Sequence, residues 1–126
     1  MSFGYALKKF REDRGLSPRE LGKLADIDQA YIYRLEKDEK TSPSEKTVES
    51  LVRTLKLTPR RAELLRLLVG KTVNTMLIDV FIEDENRSLE RLEPLALMSF
   101  RGKRPETQDD WRTKDDQLKA FLEEED

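Results

Sequence analysis

The chain has 126 residues, 40% of them charged, and a formal net charge of −2. This length fits one domain, or one small domain with an appendage. Because cysteine and histidine are both absent, disulfides, thiolate metal sites and the commonest general base are excluded, so an enzyme is the least expected class and no metal or cofactor is expected.

The charge is divided unevenly along the chain. Residues 1–70 carry 15 Lys and Arg against 11 Asp and Glu, a net charge of +4, whereas residues 71–126 carry 9 against 15, a net charge of −6. A basic first part favours a partner rich in phosphate. A chance excess in a charge-rich segment is the alternative.

The first predicted helix runs from Tyr5 to Arg14. Leu7 and Phe10 stand three residues apart and so share one face. Gly15 is expected to end the helix in a left-handed conformation.

Three local signals predict the start of a second helix. Ser17 is a good N-cap, Pro18 stands at the first helical position where its missing N–H costs nothing, and Glu20 lies three residues after the cap. Leu21 and Leu24 are expected on the buried face. The small Gly22 is expected to let another helix approach closely.

A tight turn and a third helix follow directly. Asp26 and Ile27 form the turn, and Asp28 can cap a helix from Gln29 to about Lys37. The helical period separates an apolar face, made of Tyr31, Ile32 and Leu35, from a face suited to bases and phosphates. The second face consists of Gln29, Ala30, Tyr33, Arg34 and Lys37.

The pattern L-S-x-x-E-L-x-x-x-A followed by Y-I-x-R-L-E-K resembles the XRE (Cro/C1-type) helix-turn-helix family of bacterial and phage regulators. The resemblance covers about Tyr5 to Val69. The residues that agree in register are Gly15, Leu16, Glu20, Leu21, Ala25, Tyr31, Ile32, Leu35 and Glu36. The chain departs from the family at Pro18, where Gln is usual, and at Asp38, where Gly is usual, so Asp38 is expected in a left-handed conformation.

The resemblance implies an all-α, five-helix, lambda-repressor-like DNA-binding domain with its recognition helix in the major groove. It also implies phosphate contacts from the segment after that helix, for which a solvated loop is the alternative. The full set of expected DNA-contact residues is Pro18, Arg19, Asp28, Gln29, Ala30, Tyr33, Arg34, Lys37, Lys40, Thr41 and Ser42.

The resemblance further implies an internal ion pair between Arg11 and Glu36. A planar guanidinium can satisfy a carboxylate with two hydrogen bonds, so such a pair can be partly buried. Two unrelated surface charges are the alternative.

Two more helices complete the expected domain. Ser44 can cap a helix from Glu45 to Leu55, and Leu57-Thr58-Pro59 can begin another that ends near Val69. Gly70 then marks the expected boundary between a domain of residues 1–70 and an extension of residues 71–126.

The extension is expected to be helical and to serve dimerisation or partner binding. An i, i+3, i+4, i+7, i+8 pattern predicts a helix over 72–82, with a strand as the alternative because of its β-branched content. A further helix is expected around Leu89–Phe100, interrupted or kinked near Pro94, and a last helix is expected from Thr107 onward. The stripe expected to form the dimer or partner contact is Val73, Met76, Leu77, Val80 and Phe81.

These observations predict a cytoplasmic, dimeric repressor that binds a double-stranded DNA operator and does not contact a membrane, because no apolar run of about 18 residues and no signal-peptide pattern occurs. One alternative is an antitoxin or partner-sensing regulator that holds a toxin or another protein through residues 71–126. Another is an interaction module that keeps the fold without reading DNA.

Overall fold

The computed structural model describes residues 2–39 and 42–124. It divides into two compact units, Met1–Thr72 and Val73–Asp126, which we call the N-terminal and C-terminal units. Within the described ranges every regular element is helical, which confirms the all-α class. None of these helices is long and apolar enough to span a membrane.

The N-terminal unit contains the expected five helices among its described residues. They are α1 (Phe3–Asp13), α2 (Pro18–Ala25), α3 (Gln29–Glu36), α4 (Glu45–Thr54) and α5 (Pro59–Leu67). Helix α1 begins two residues before the predicted start, and α5 ends two residues before the predicted end.

The helix starts follow from local hydrogen bonding. The Ser17 hydroxyl accepts from the Glu20 backbone N–H at 3.1 Å, and the Glu20 carboxylate accepts from the Ser17 N–H at 3.0 Å. The hydrogen bond that the Ser17 backbone N–H donates to the carboxylate lowers the pKa of Glu20. Ser44 and Thr58 cap α4 and α5 in the same way, so the N-cap predictions are confirmed.

The buried face of α2 differs from the expected one. Leu21 is fully buried, but Leu24 is 64% exposed. The buried face of α2 is formed by Leu21, Gly22 and Ala25. At about 100° per residue, Leu24 lies more than a quarter turn from the centre of that face. The prediction of a buried Leu24 was therefore wrong.

The C-terminal unit is built from three α-helices and one short 3-10 helix in the part that the structure describes. They are α6 (Thr75–Glu83), the 3-10 helix Leu89–Arg91, α7 (Leu92–Ala96) and α8 (Gln108–Glu124). The Asn74 side chain caps α6 by accepting from the Met76 N–H at 2.8 Å. The strand alternative over 72–82 is therefore excluded.

Pro94 does not kink a long helix as predicted. It stands in the first turn of α7, where a missing N–H leaves no helical carbonyl without its donor. The 3-10 helix precedes α7 directly, and α7 ends at Ala96. The expected interruption near Pro94 is therefore a change from 3-10 to α-helix at Leu92, without a kink.

The apolar stripe on α6 is not the exposed surface that the sequence predicted. Val73, Leu77, Val80 and Phe81 are all at most 5% exposed, and only Met76, at 42%, reaches solvent. Helix α6 lies against α7 and α8 within the C-terminal unit. The stripe belongs to the core, because periodicity identifies an apolar face but not the element that covers it.

A fully buried carboxylate, Asp115 on α8, anchors an ion network in the same unit. Arg91 donates to both oxygens of Asp115, at 2.6 and 3.0 Å, and Arg87 donates to one of them at 2.9 Å. Arg112 reaches Asp84 at 2.9 Å. No sequence pattern indicated this network, because its members come from separate parts of the chain.

The network lowers the pKa of two of its carboxyl groups. Burial opposes the ionisation of Asp115, but the hydrogen bonds from Arg91 and Arg87 outweigh it and hold the pKa of Asp115 below its usual value. Hydrogen bonds from Arg112 and Arg87 lower the pKa of Asp84. Both groups stabilise the folded unit while they are ionised.

We expect the C-terminal unit to lose stability in acid. A carboxyl group whose pKa is lower in the folded state binds fewer protons there, so its stabilisation is present above the unfolded value of about 3.9 and is lost as the pH falls through the folded pKa. Urea denaturation followed by the fluorescence of Trp111, the single tryptophan, should show this loss. Asp115→Asn should lower stability at neutral pH and flatten the acid dependence. Asp109→Asn, on the same helix with a side chain that is 90% exposed, should leave both nearly unchanged.

Candidate nucleic-acid interface

The turn between α2 and α3 is held by a close backbone approach. A Cβ atom at Gly22 would lie 2.7 Å from the carbonyl oxygen of Ile27 and 3.4 Å from the Cα of Gln29. The Ile27 N–H donates to the Gly22 carbonyl at 2.8 Å, and Asp26 takes a left-handed conformation with φ of 58°. Only a residue without a side chain fits at position 22, as the sequence predicted.

Helix α3 is amphipathic. Ile32 and Leu35 are fully buried, and Tyr31 is half-buried. All five residues of the expected reading face are exposed, namely Gln29, Ala30, Tyr33, Arg34 and Lys37. The Nζ atom of Lys37 lies 5.5 Å from the centre of the Tyr33 ring, a cation–π contact that orients both side chains.

An open concavity of about 600 Å³ lies where the start of α2 meets the exposed face of α3. It is lined by Pro18, Asp28, Gln29, Ala30, Tyr33, Arg34 and Glu39. Six of these seven residues were among the expected DNA contacts. The concavity presents an amide, a phenol and a guanidinium, which are groups that can bond base edges and phosphate oxygens.

Two acidic residues limit what this surface can do. The Asp28 carboxylate caps α3 by accepting from the Ala30 N–H at 2.7 Å, so one of its oxygens is already used in holding the helix. Glu39 was not predicted. Its negative carboxylate repels a phosphate group nearby. The sequence signal that could have identified Glu39 as part of this surface is its position directly after Asp38.

Of the other expected contacts, Arg19, Lys37 and Ser42 are not among the residues that line the concavity. Arg19 is exposed in the first turn of α2, and Ser42 is exposed before α4. Lys40 and Thr41 lie outside the described residues. Asp38 has a φ of 59°, so the expected left-handed conformation after the recognition helix is present.

Arg11 and Glu36 form a bidentate ion pair. The Arg11 Nε and Nη2 atoms donate to the two carboxylate oxygens of Glu36 at 2.7 and 2.9 Å, and Nη1 donates to the Leu16 carbonyl at 2.8 Å. The side chains are only 10% and 7% exposed. The hydrogen bonds to Glu36 raise the pKa of Arg11. The pair joins α1 to the last residue of α3 and to the segment before α2.

Comparison with known protein families matches residues 7–61 to a family described as Helix-turn-helix. The matched range contains α2, α3 and α4 in full and most of α1. No curated protein sequence matches the chain closely enough to count as a relative.

We expect Arg11→Ala and Glu36→Ala each to lower the free energy of unfolding by roughly 3 kcal/mol, because either change leaves the other charge buried without a partner. The double variant should lose less than the sum of the two. Guanidinium denaturation followed by circular dichroism measures all three. Asp13→Ala, which breaks the exposed Arg61–Asp13 pair, is the control and should cost less than about 1 kcal/mol. Small and additive losses would contradict a structural role for the pair.

Proposed function

We propose that the protein is a sequence-specific repressor whose α3 enters the major groove. Residues 7–61 match the Cro/C1-type helix-turn-helix (XRE) family of DNA-binding transcriptional regulators. The observation that carries the proposal is the exposed polar face of α3. Gly22 and the Arg11–Glu36 pair fix this helix at both ends, so its exposed side chains are presented in a defined orientation.

The mechanism needs no chemical step. The major groove is about 12 Å wide and admits an α-helix. Gln29, at the start of α3, can form two hydrogen bonds with an adenine. Arg34 can do the same with a guanine or hold a phosphate. Tyr33 can supply an apolar contact or bond a phosphate. Occupation of the operator then blocks RNA polymerase.

The start of α2 supplies the backbone contacts in this proposal. Arg19 is exposed there, and the first helix of such a motif crosses the phosphate backbone while the second enters the groove. Pro18 cannot donate a hydrogen bond to a phosphate from its backbone, so the cation at Arg19 carries this contact. Ser42, exposed before α4, is a further candidate on the other side of α3.

We propose that the repressor acts as a homodimer. A single recognition helix reads only a few base pairs, and two copies related by symmetry reach two half-sites about 34 Å apart. The α6 stripe is buried, so the contact must use other apolar side chains. On α8, Phe121 and Leu122 are 56% and 43% exposed and stand three and four residues after the half-buried Leu118. This spacing places them on one face of the helix.

A second candidate function uses the same face to hold a different protein, such as a toxin. The exposure of Phe121 and Leu122 on the last helix is the observation that favours it. Under this function the N-terminal unit still binds DNA, and the partner adjusts repression. The oligomeric state of the purified chain separates the two candidates.

We expect Gln29→Ala and Arg34→Ala to relax sequence preference at particular base pairs, at a cost of roughly 1 to 3 kcal/mol each. Selection from a randomised duplex library, followed by sequencing of the bound fraction, measures the preference. Arg19→Gln is the comparison and should weaken binding to all sequences alike, because a phosphate contact carries no base information. Unchanged selectivity in both α3 variants would contradict the assigned reading face.

We expect Phe121→Glu to convert a dimer to a monomer at micromolar concentration, because it places a charge in an apolar contact. Sedimentation velocity measures the change. Ala120→Glu is the matched control. It adds the same charge at an exposed position on the opposite side of α8 and should leave the dimer intact. A wild-type chain that sediments as a monomer would favour the second candidate function.

A further inference from the structure

A cationic loop, residues 101–104, lies between α7 and α8. Arg101, Lys103 and Arg104 place three positive charges in four positions, and all four residues are exposed. The net charge of −6 over residues 71–126 is an average that hides this segment. The average alone disfavours contact with phosphate, but the loop presents a locally positive surface.

The other arginines of the C-terminal unit are bound to its own carboxylates. Arg87 and Arg91 are held by Asp115, and Arg112 is held by Asp84. By contrast, Arg101 and Arg104 form no ion pair with any residue that the structure describes. Lys103 approaches Glu106 only at 3.9 Å, with both side chains at least 70% exposed. The cations of this loop are therefore available to an external anion.

The loop is anchored on both sides. Before it, the Phe100 ring meets Trp111 edge to face with ring centres 5.8 Å apart. After it, the Glu106 and Thr107 N–H groups donate to the Asp110 carboxylate at 2.9 and 3.2 Å. The Thr107 hydroxyl accepts from the Asp110 N–H at 3.0 Å.

The bend within the loop is also defined. Gly102 has a φ of 91°, a conformation that side chains rarely adopt, and a Cβ atom there would meet nothing within 4 Å. The loop is short, fixed at its ends and open on its outer side, so ordering it on a ligand costs little entropy.

We propose that this loop binds the phosphate backbone of DNA and forms a contact separate from the α3 surface. Guanidinium groups match phosphate oxygens with paired hydrogen bonds and remain charged at any physiological pH. The loop has no apolar side chain to form the centre of a protein interface, which favours a polyanion over a folded protein. The inference rests on the proposed function, because it takes duplex DNA as the ligand.

The contact is independent of sequence. Each phosphate that is neutralised releases condensed counterions, so the loop adds affinity and salt dependence without selecting bases. It makes the C-terminal unit a contributor to DNA binding in addition to its proposed role in assembly.

The test compares full-length wild type with the triple variant Arg101→Gln, Lys103→Gln, Arg104→Gln. The probe is a mixed-sequence duplex of about 30 base pairs, titrated by fluorescence anisotropy between about 50 and 200 mM salt. We expect the plot of log affinity against log salt to become shallower by about two to three units, with the base preferences of the α3 surface unchanged. Because all three positions are exposed, the triple variant should keep its circular dichroism spectrum.

A charge-matched control separates the loop from the effect of net charge. Lys8→Gln, Lys56→Gln, Lys119→Gln removes three exposed cations from other parts of the chain and should change the slope by less than one unit.

Each other outcome has a defined meaning. If the loop variant kept the wild-type slope while Arg34→Ala still lost selectivity, the loop proposal would be wrong and the proposed function would stand. If wild type showed no salt-dependent binding to any duplex, the proposed function would be wrong, and the loop proposal, which rests on it, would be wrong as well. If polyglutamate bound the loop more tightly than the duplex did, the ligand would be an acidic protein segment and the proposal would be overturned.

Discussion

The N-terminal unit depends on the way Arg11 joins α1 to the end of α3 and to the segment before α2. Its guanidinium binds the carboxylate at the end of α3 and the carbonyl of Leu16 at the entrance to α2. A close crossing supports it. A Cβ atom at Gly4 would collide with the carbonyl oxygen of Leu35, so α1 and α3 touch through their backbones. The orientation of α3 relative to α1 is therefore set by the buried Arg11–Glu36 pair and by the absence of a side chain at Gly4.

The two units use charge in opposite ways. The N-terminal unit leaves the cations of α2 and α3 exposed and buries the Arg11–Glu36 ion pair for internal support. The C-terminal unit has the larger number of acidic residues, yet it encloses the Asp115 carboxylate completely and surrounds it with arginines. A buried carboxylate that fixes two arginines from another element specifies how α8 lies on the segment before α7. The cations of α2 and α3 remain accessible to an external partner, whereas the enclosed Asp115 carboxylate supports the packing of its own unit.

Most of the fold was predictable wherever the signal is local. Ser17, Ser44 and Thr58 announced helix starts because a cap depends on neighbours within three residues. The sequence does not identify which element of the fold covers each apolar helix face. Leu24 and Phe81 both fit a helical period, but one is exposed and the other is buried. The exposed polar face of α3 was predicted from its amphipathic pattern, whereas Glu39 joins the same surface through the path of the chain after the helix.

Helix α3 is bracketed by two non-glycine residues in the left-handed region, Asp26 before it and Asp38 after it. The left-handed conformation costs a residue with a side chain about 1 kcal/mol, and Asp adopts it less readily than Gly. The strain at these two positions lowers the free energy needed to open α3 locally, so its amides should exchange faster than they would with glycine at both positions. A duplex in contact with this helix would suppress those openings. DNA binding would then be detected as slower hydrogen exchange in α3, even where the average coordinates of the domain hardly change.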